Sequence, residues 1–284
     1  MQNMKDIKRR IDSVESTQKI TRAMKMVAAA KLKKSQDRAE KARPFFEKTR
    51  QILSDISQFT REVEDHPLVS PGRGDRTLFI TISGDRGLCG AYNSRVIKKV
   101  EQSIANKKED GLLVIGKKAR DYFRKREYNL VSEYVEIDDY PGFDLAQKIG
   151  EEVISLFQED VVDQVQLAYT HFNSAISQEV RLLSLLPVHV PEEQQEKEQV
   201  DYIYEPSPRE ILDIILPRYI NNILYSSLLE SRASEFGSRM TAMDSATDNA
   251  EEMIEDLTLT YNRARQAQIT KEITEIVGGA EALK

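Results

Sequence analysis

The hydrophobic pattern of this chain changes period twice. In the last third, small or apolar residues recur at Phe236, Met240, Met243, Thr247, Ala250, Ile254, Leu257, Tyr261 and Ala264, stepping alternately by four and three. That alternation marks a helix with one continuous seam against a partner helix. Between Pro217 and Gly278 the only glycine is Gly237 and there is no proline. The stretch therefore reads as a single helix of roughly 90 Å, at 1.5 Å per residue. Its partner is predicted at the other end of the chain. Lys5 to Arg43 holds neither glycine nor proline, and Ile7, Ile11, Val14, Thr21, Ala28 and Leu32 keep one phase. Pro44 interrupts this run, and Phe45 to Thr60 resumes a helical pattern. Around Ile20 to Leu32, Ala23, Met24, Met26, Val27, Ala28, Ala29 and Ala30 put apolar or small residues on every side, which predicts a helix enclosed all round.

Between the helices the period shortens. Residues 65–76, with two prolines and two glycines, read as a linker. Strands are predicted at 77–83, 111–116, about 129–137, 163–172 and 177–188, with helices over 94–105, 117–127 and 144–157. Strands alternating with helices predict a mainly parallel sheet covered on both faces, and the last two strands predict an antiparallel pair. The expected fold class is thus mixed α+β. A long antiparallel two-helix coiled coil, formed by the N- and C-terminal helices, carries a Rossmann-like α/β domain inserted between them. The expected boundaries are 1–64 for the first helix, 65–76 for the linker, 77–190 for the α/β domain, 191–208 for an acidic connection and 209–284 for the last helix. Paired around one insert, the helices must run antiparallel. The longer C-terminal one should project past residue 1, where Ile269, Ile273 and Ile276 leave the phase of the earlier stripe.

Composition narrows the function classes. A formal net charge of −6 argues against nucleic acid as a partner. The N-terminal helix is rich in Lys and Arg and the last helix is acidic, as two helices lying side by side would be. Cys89 is the single cysteine, so neither an internal disulfide nor a cysteine metal site is expected. His66, His171 and His189 are far apart in sequence, and no run of eighteen apolar residues or targeting segment is visible. No cofactor is expected.

Two stretches imitate nucleotide loops. Gly111 to Lys118 nearly spells a phosphate loop, but Lys118 stands where a hydroxyl should be, and Leu112 to Ile115 read as buried strand. Gly84, Gly87 and Gly90 follow the first strand at GxxGxxG spacing, not GxGxxG, and no acidic residue ends the second strand. Cys89 in that loop reads as a small buried residue in a tight turn.

Three blocks then carry a resemblance: residues 17–36 (TQKITRAMKMVAAAKLKKSQ), 83–93 (SGDRGLCGAYN) and 234–283, the last ending in ITKEITEIVGGAEA (269–282). Over essentially its whole length the chain resembles the gamma subunit of the bacterial F-type rotary ATP synthase. The resemblance implies a non-catalytic rotor shaft turning inside a ring of alpha and beta subunits. The α/β domain would be a foot on the epsilon subunit and the membrane ring of c subunits, with one copy per complex. Ion flow, taken as protons, would turn ring and foot together, and membrane contact would run only through the c ring. It implies that Arg265, Gln266, Thr270 and Glu272 face the catalytic ring, with Met24, Lys25 and Met26 opposite on the N-terminal helix and Glu275 in the same interface. Ile269, Ile273, Ile276 and Ala280 would form an apolar bearing. It also implies a bacterial plasma membrane location, peripheral and on the cytoplasmic side. Two other readings compete: a nucleotide-binding α/β enzyme with a coiled-coil arm, and a passive scaffold charged along its whole length.

Overall fold

Five strands and five helices follow one another in the computed structural model, which describes residues 4–59, 63, 65–70, 72, 74–189 and 207–281. They are α1 (Met4–Phe59), β1 (Thr77–Ile82), α2 (Tyr92–Ser103), β2 (Gly111–Ile115), α3 (Lys117–Arg124), β3 (Leu130–Tyr134), α4 (Phe143–Gln158), β4 (Gln164–Phe172), β5 (Gln178–Leu186) and α5 (Pro208–Glu281). Most of the acidic connection expected at 191–208 lies outside the described residues. The chain divides into two compact units, residues 1–27 with 240–284, and residues 28–239. This division cuts both long helices, whereas the sequence pattern separates helix from sheet.

The larger unit is built on one sheet of order β3-β2-β1-β4-β5. β1 runs parallel to β2 and β4, β2 is parallel to β3, and β4–β5 is the antiparallel pair. The period-two alternation of β1 sends Leu78, Ile80 and Ile82 to one face and Phe79 to the other. On the Phe79 face, Val96, Ile97 and Val100 of α2 and Ala119 and Phe123 of α3 pack over Leu112 and Val114. On the opposite face, Ile149 and Val153 of α4, Leu216, Ile220 and Leu224 of α5 and Leu53 and Ile56 of α1 close over Leu113, Ile115 and Leu167. The stretch read as a linker joins this core: Leu68 is buried in it, as is Val63 just before the stretch, and the Leu68 carbonyl accepts from Val188 N–H at 2.7 Å. Pro44 lies inside a helix that continues past it.

α5 is enclosed here on nearly every side. From Tyr219 to Gly237 only Tyr225, Ser226 and Glu230 escape full burial. Its small residues explain how. The last β1–β4 pair is Thr81–Ala168, and beyond it the edge of β4 that β1 vacates would be unpaired. Ser231 Oγ accepts from Thr170 N–H at 3.3 Å, and Ser234 Oγ donates to Thr170 C=O at 3.1 Å. Helix side chains thus complete a strand edge.

The smaller unit is an antiparallel helix pair. Thr21 Oγ1 and Thr247 Oγ1 share a hydrogen bond of 2.8 Å, and Lys25 forms an ion pair with Asp244. Positions that rise in α1 fall in α5, as antiparallel helices require. Ile7, Thr21, Met243, Thr247 and Ala250 are buried; Ile11, Val14, Ile254, Leu257, Tyr261 and Ala264 are half-buried. The alternating four-and-three seam is therefore the packed face.

Candidate functional site

No group of three or more His, Cys, Asp or Glu side chains able to hold a metal occurs among the described residues, and no described helix is long and apolar enough to cross a membrane. The two nucleotide-like stretches have local structural roles. Gly111–Ile115 is a fully buried strand. Gly116 takes φ 100°, with its Cα so close to Ser83 that an added Cβ would stand 2.3 Å from the Ser83 carbonyl oxygen.

The loop after β1 lies at the carboxyl end of the sheet, beside the point where the strand order reverses. In open α/β folds that crevice is where ligands sit. Here α5 occupies it. Glu235, 3% exposed, lies so near Gly84 that a Cβ there would be 2.9 Å from Oε1. Arg232 donates to Glu235 Oε2 at 2.7 Å and to the Ile137 carbonyl at 2.9 Å, and stands 4.0 Å from Asp85 Oδ2. Arg239 donates to Glu235 Oε1 at 2.7 Å and to the Gly87 carbonyl at 3.3 Å. Ser238 Oγ donates to the Cys89 carbonyl at 2.7 Å.

The loop itself is braced. Gly84 N–H donates to Asn93 Oδ1 at 2.8 Å, and the Asp85 carboxylate accepts the N–H groups of Lys117, Glu136 and Ile137 at 2.9, 3.2 and 3.1 Å. Burial, and after it the charge of Glu235, pushes the Cys89 thiol up from its ordinary range, which suits a packed residue and not a nucleophile. The same two causes push the Tyr92 phenol up. None of Arg232, Glu235 or Arg239 was singled out from the sequence for a role. The available signal was their i, i+3, i+7 spacing on one helix face, within or beside the recognisable block 234–283.

The residues singled out from the sequence lie in the smaller unit. Arg265, Gln266, Ile269, Thr270, Glu272, Ile273, Glu275, Ile276 and Ala280 are all exposed, with Ile276 at 71%. The pairing of Thr21 with Thr247 puts Met4 beside about residue 264, so the helix beyond has no described partner. Projected at about 100° per residue, Ile269, Ile273, Ile276 and Ala280 share one narrow face. Arg265 and Glu272 flank it on one side, Gln266 and Thr270 on the other, and Glu275 lies furthest away. The polar groups make only local contacts. Thr270 Oγ1 donates to the Gln266 carbonyl at 2.9 Å, Gln268 Nε2 to Glu272 at 3.1 Å, and Lys271 stands 3.7 Å from Glu275. Such exposed i, i+4 contacts are worth a few tenths of a kcal/mol.

Two expectations need correction. Met24, Lys25 and Met26 do not stand opposite Arg265–Glu272, because the register sets them beside Met243–Asp244, roughly 30 Å away along the helix. Lys25 forms an ion pair with Asp244. The all-round apolar stretch 20–32 is not enclosed within this chain. Ile20 is 58% and Met26 61% exposed, since α5 covers only the face bearing Thr21, Ala28 and Leu32.

Comparison with known proteins gives these features a family. The model of a family described as ATP synthase matches residues 3–283. The ATP synthase gamma chain of Halothermothrix orenii is 63% identical over the full length of both chains, and that of Heliobacterium modesticaldum is 46% identical, again over the whole of both. Among solved structures, a chain of the central stalk and c-ring assembly of the Tetrahymena thermophila mitochondrial ATP synthase is 31% identical. It has a TM-score of 0.61 and covers 80% of this chain and 99% of its own. A chain of the Euglena gracilis mitochondrial ATP synthase, at 17% identity and TM-score 0.71, covers 99% of this chain and 94% of its own and shares the fold. A family match from residue 3 to residue 283, with gamma chains 63% and 46% identical over their full length, means that the chain belongs to the ATP synthase gamma chains, the central stalk of the rotary enzyme.

Proposed function

We propose that the exposed end of α5 is the part of the stalk that turns within the catalytic ring, and that the sheet-bearing unit is the foot. On this reading Ile269, Ile273, Ile276 and Ala280 form the bearing. The observation that carries it is an apolar stripe left uncovered at the end of a helix whose earlier seam is packed. A bearing should be apolar and smooth, so that no single contact holds it at one angle. Arg265, Gln266, Thr270 and Glu272 border the stripe and make reversible polar contacts with the ring, each worth about 0.5–1.5 kcal/mol. Glu275, furthest round the helix, has the least part in this.

Met24 and Met26, with Ile20 and Val27, form a second contact level. Ile20, Met26 and Val27 are exposed where α5 leaves the helix open and Met24 is half-buried, while Lys25–Asp244 ties the two helices together beside them. The partners are one ring of alpha and beta subunits, the epsilon subunit and the c-subunit ring, with one copy of this chain per complex. Membrane contact runs only through the c ring. Proton flow through that ring turns the stalk, and the enzyme works at the cytoplasmic side of a bacterial plasma membrane. The stalk holds no catalytic group: the complex makes ATP, and this chain transmits the motion.

Co-purification with alpha and beta subunits tests the reading. A complex with one copy of this chain per three catalytic subunits, whose ATP hydrolysis depends on it, is expected. Truncation at residue 276 should impair assembly and leave the sheet unit folded. A truncated chain that assembles and turns over normally would remove the bearing.

A further inference from the structure

The larger unit contains a buried charge network whose placement has no use in a nucleotide site and a clear use in a rotor. We propose that Arg232, Glu235 and Arg239 of α5, seated in the crevice formed by Asp85, Gly87, Cys89 and Ile137, are the torque joint that keeps the helix from turning or sliding within the sheet unit. The proposal rests on the chain acting as a rotor stalk, and it assigns the residues that grip.

Three observations carry it. First, the groups are enclosed and mutually satisfied. Glu235 accepts from both arginines at 2.7 Å, and each arginine also donates to a carbonyl of the sheet unit, Ile137 or Gly87. Second, the network is keyed to one position of the helix. Gly84 leaves room for the Glu235 carboxylate, which an added Cβ would meet at 2.9 Å. Ser231, Ser234 and Ser238 each bond a backbone group of β4 or of the loop. Turning the helix by one residue, or sliding it by one turn, would leave buried charges and strand-edge groups unpaired at once. Apolar packing lacks this property, because one leucine replaces another across a groove at little cost. Buried ion pairs are weak sources of net stability and better attested as devices that fix register. Third, the crevice belongs to the sheet unit's rigid end, where Asp85 ties together the N-terminus of α3 and the segment after β3. A load on α5 is therefore received by several elements together.

The test uses the whole ATP synthase in membrane vesicles, with the c ring arrested by a carbodiimide that modifies its carboxyl group. In the coupled enzyme, arrest stops ATP hydrolysis because the stalk cannot turn. With Glu235→Gln, the joint should slip, and the hydrolysis that survives arrest should rise at least threefold over the unsubstituted enzyme. Arg232→Met should behave alike and Arg232→Lys should fall between. If Glu235→Gln does not assemble, Arg239→Gln at the rim of the crevice supplies the same reading. Val114→Ala, which truncates the core on the far side of the sheet, controls for lost stability and should leave arrest-sensitive hydrolysis unaltered per assembled complex. Glu235 and Arg239 variants that assemble yet stop as fully as the unsubstituted enzyme would overturn the proposal and give the grip to the apolar core. So would slippage of equal size with Val114→Ala. A chain that formed no complex with alpha and beta would instead fail the stalk reading itself.

Discussion

Two stretches of α5 invert the usual relation between polarity and burial. Residues 219–237 contain Asn221, Asn222, Ser227, Ser231, Arg232, Ser234 and Glu235, all of them buried. Residues 269–277 contain Ile269, Ile273, Ile276 and Val277, all exposed. A helix that must be held in one place benefits from groups whose bonds are satisfied in one register only. A helix that must turn against a partner benefits from surface that bonds to nothing in particular. On the reading proposed above, the polar stretch is the fixed one and the apolar stretch the free one. A reading of polarity alone would assign them the other way.

The largest effect should come from removing the shared acceptor. Glu235→Ala leaves the buried Arg232 with only Asp85, 4.0 Å away, as counter-charge and Arg239 unpaired at the rim; breaking a buried pair in this way costs about 3–5 kcal/mol. Denaturant unfolding of the isolated chain would show it as a lowered midpoint of the sheet unit. A midpoint within error of the unsubstituted chain would mean that the arginines find water and the crevice is open.

One substitution, glycine to alanine, should then act with opposite sign in the two stretches. At Gly84 the new Cβ meets the Glu235 carboxylate at 2.9 Å, and overpacking of this kind costs about 1–3 kcal/mol. At Gly278 nothing lies within 4 Å, and helix propensity alone should stabilise by about 0.5–1 kcal/mol. Thermal unfolding of Gly84→Ala and helix content by circular dichroism of Gly278→Ala would check the pair. A loss of ring binding with Gly278→Ala, despite higher helicity, would show that the ring approaches the helix backbone there.

Met24→Lys places a second cation beside Lys25, against surface assigned to the ring. Assembly should persist while proton pumping per ATP falls, measured in vesicles. Pumping at the unsubstituted ratio would remove that contact level. Ile273→Ala, in the exposed stripe, should alter the stability of the isolated chain by less than about 0.5 kcal/mol and weaken only its retention by the ring.

The smallest effect concerns Cys89. Burial and the Glu235 charge keep its thiol protonated above the ordinary range, so alkylation at pH 8 should be slow. In Glu235→Gln one raising influence is gone, the thiol pKa falls, more thiolate exists at a given pH, and labelling should quicken. Equal rates would place Cys89 out of reach of the Glu235 charge.

Much of this was legible in the amino-acid order. The seam from Phe236 to Ala264 and the strand–helix alternation both follow from short-range periodicity, which local backbone geometry enforces. The uncovered end of α5 followed from Ile269 leaving the phase. The enclosure of 219–237 was not legible, because small serines reveal nothing until a strand edge such as Thr170 is placed beside them. Nor was the role of Lys25, since register between helices far apart in sequence is set by tertiary pairing. Ile20 and Met26 misled for a related reason: an apolar pattern predicts enclosure, and within this chain they are exposed.

Amide hydrogen exchange across α5, in the isolated chain and in the complex with alpha and beta subunits, tests the central claim most directly. The account expects residues 219–239 to be protected in both states, and residues 265–280 to exchange freely in the isolated chain and become protected only in the complex. Free exchange at 219–239 in the isolated chain, or at 265–280 in the complex, would contradict a helix gripped in one stretch and left free to turn in the other.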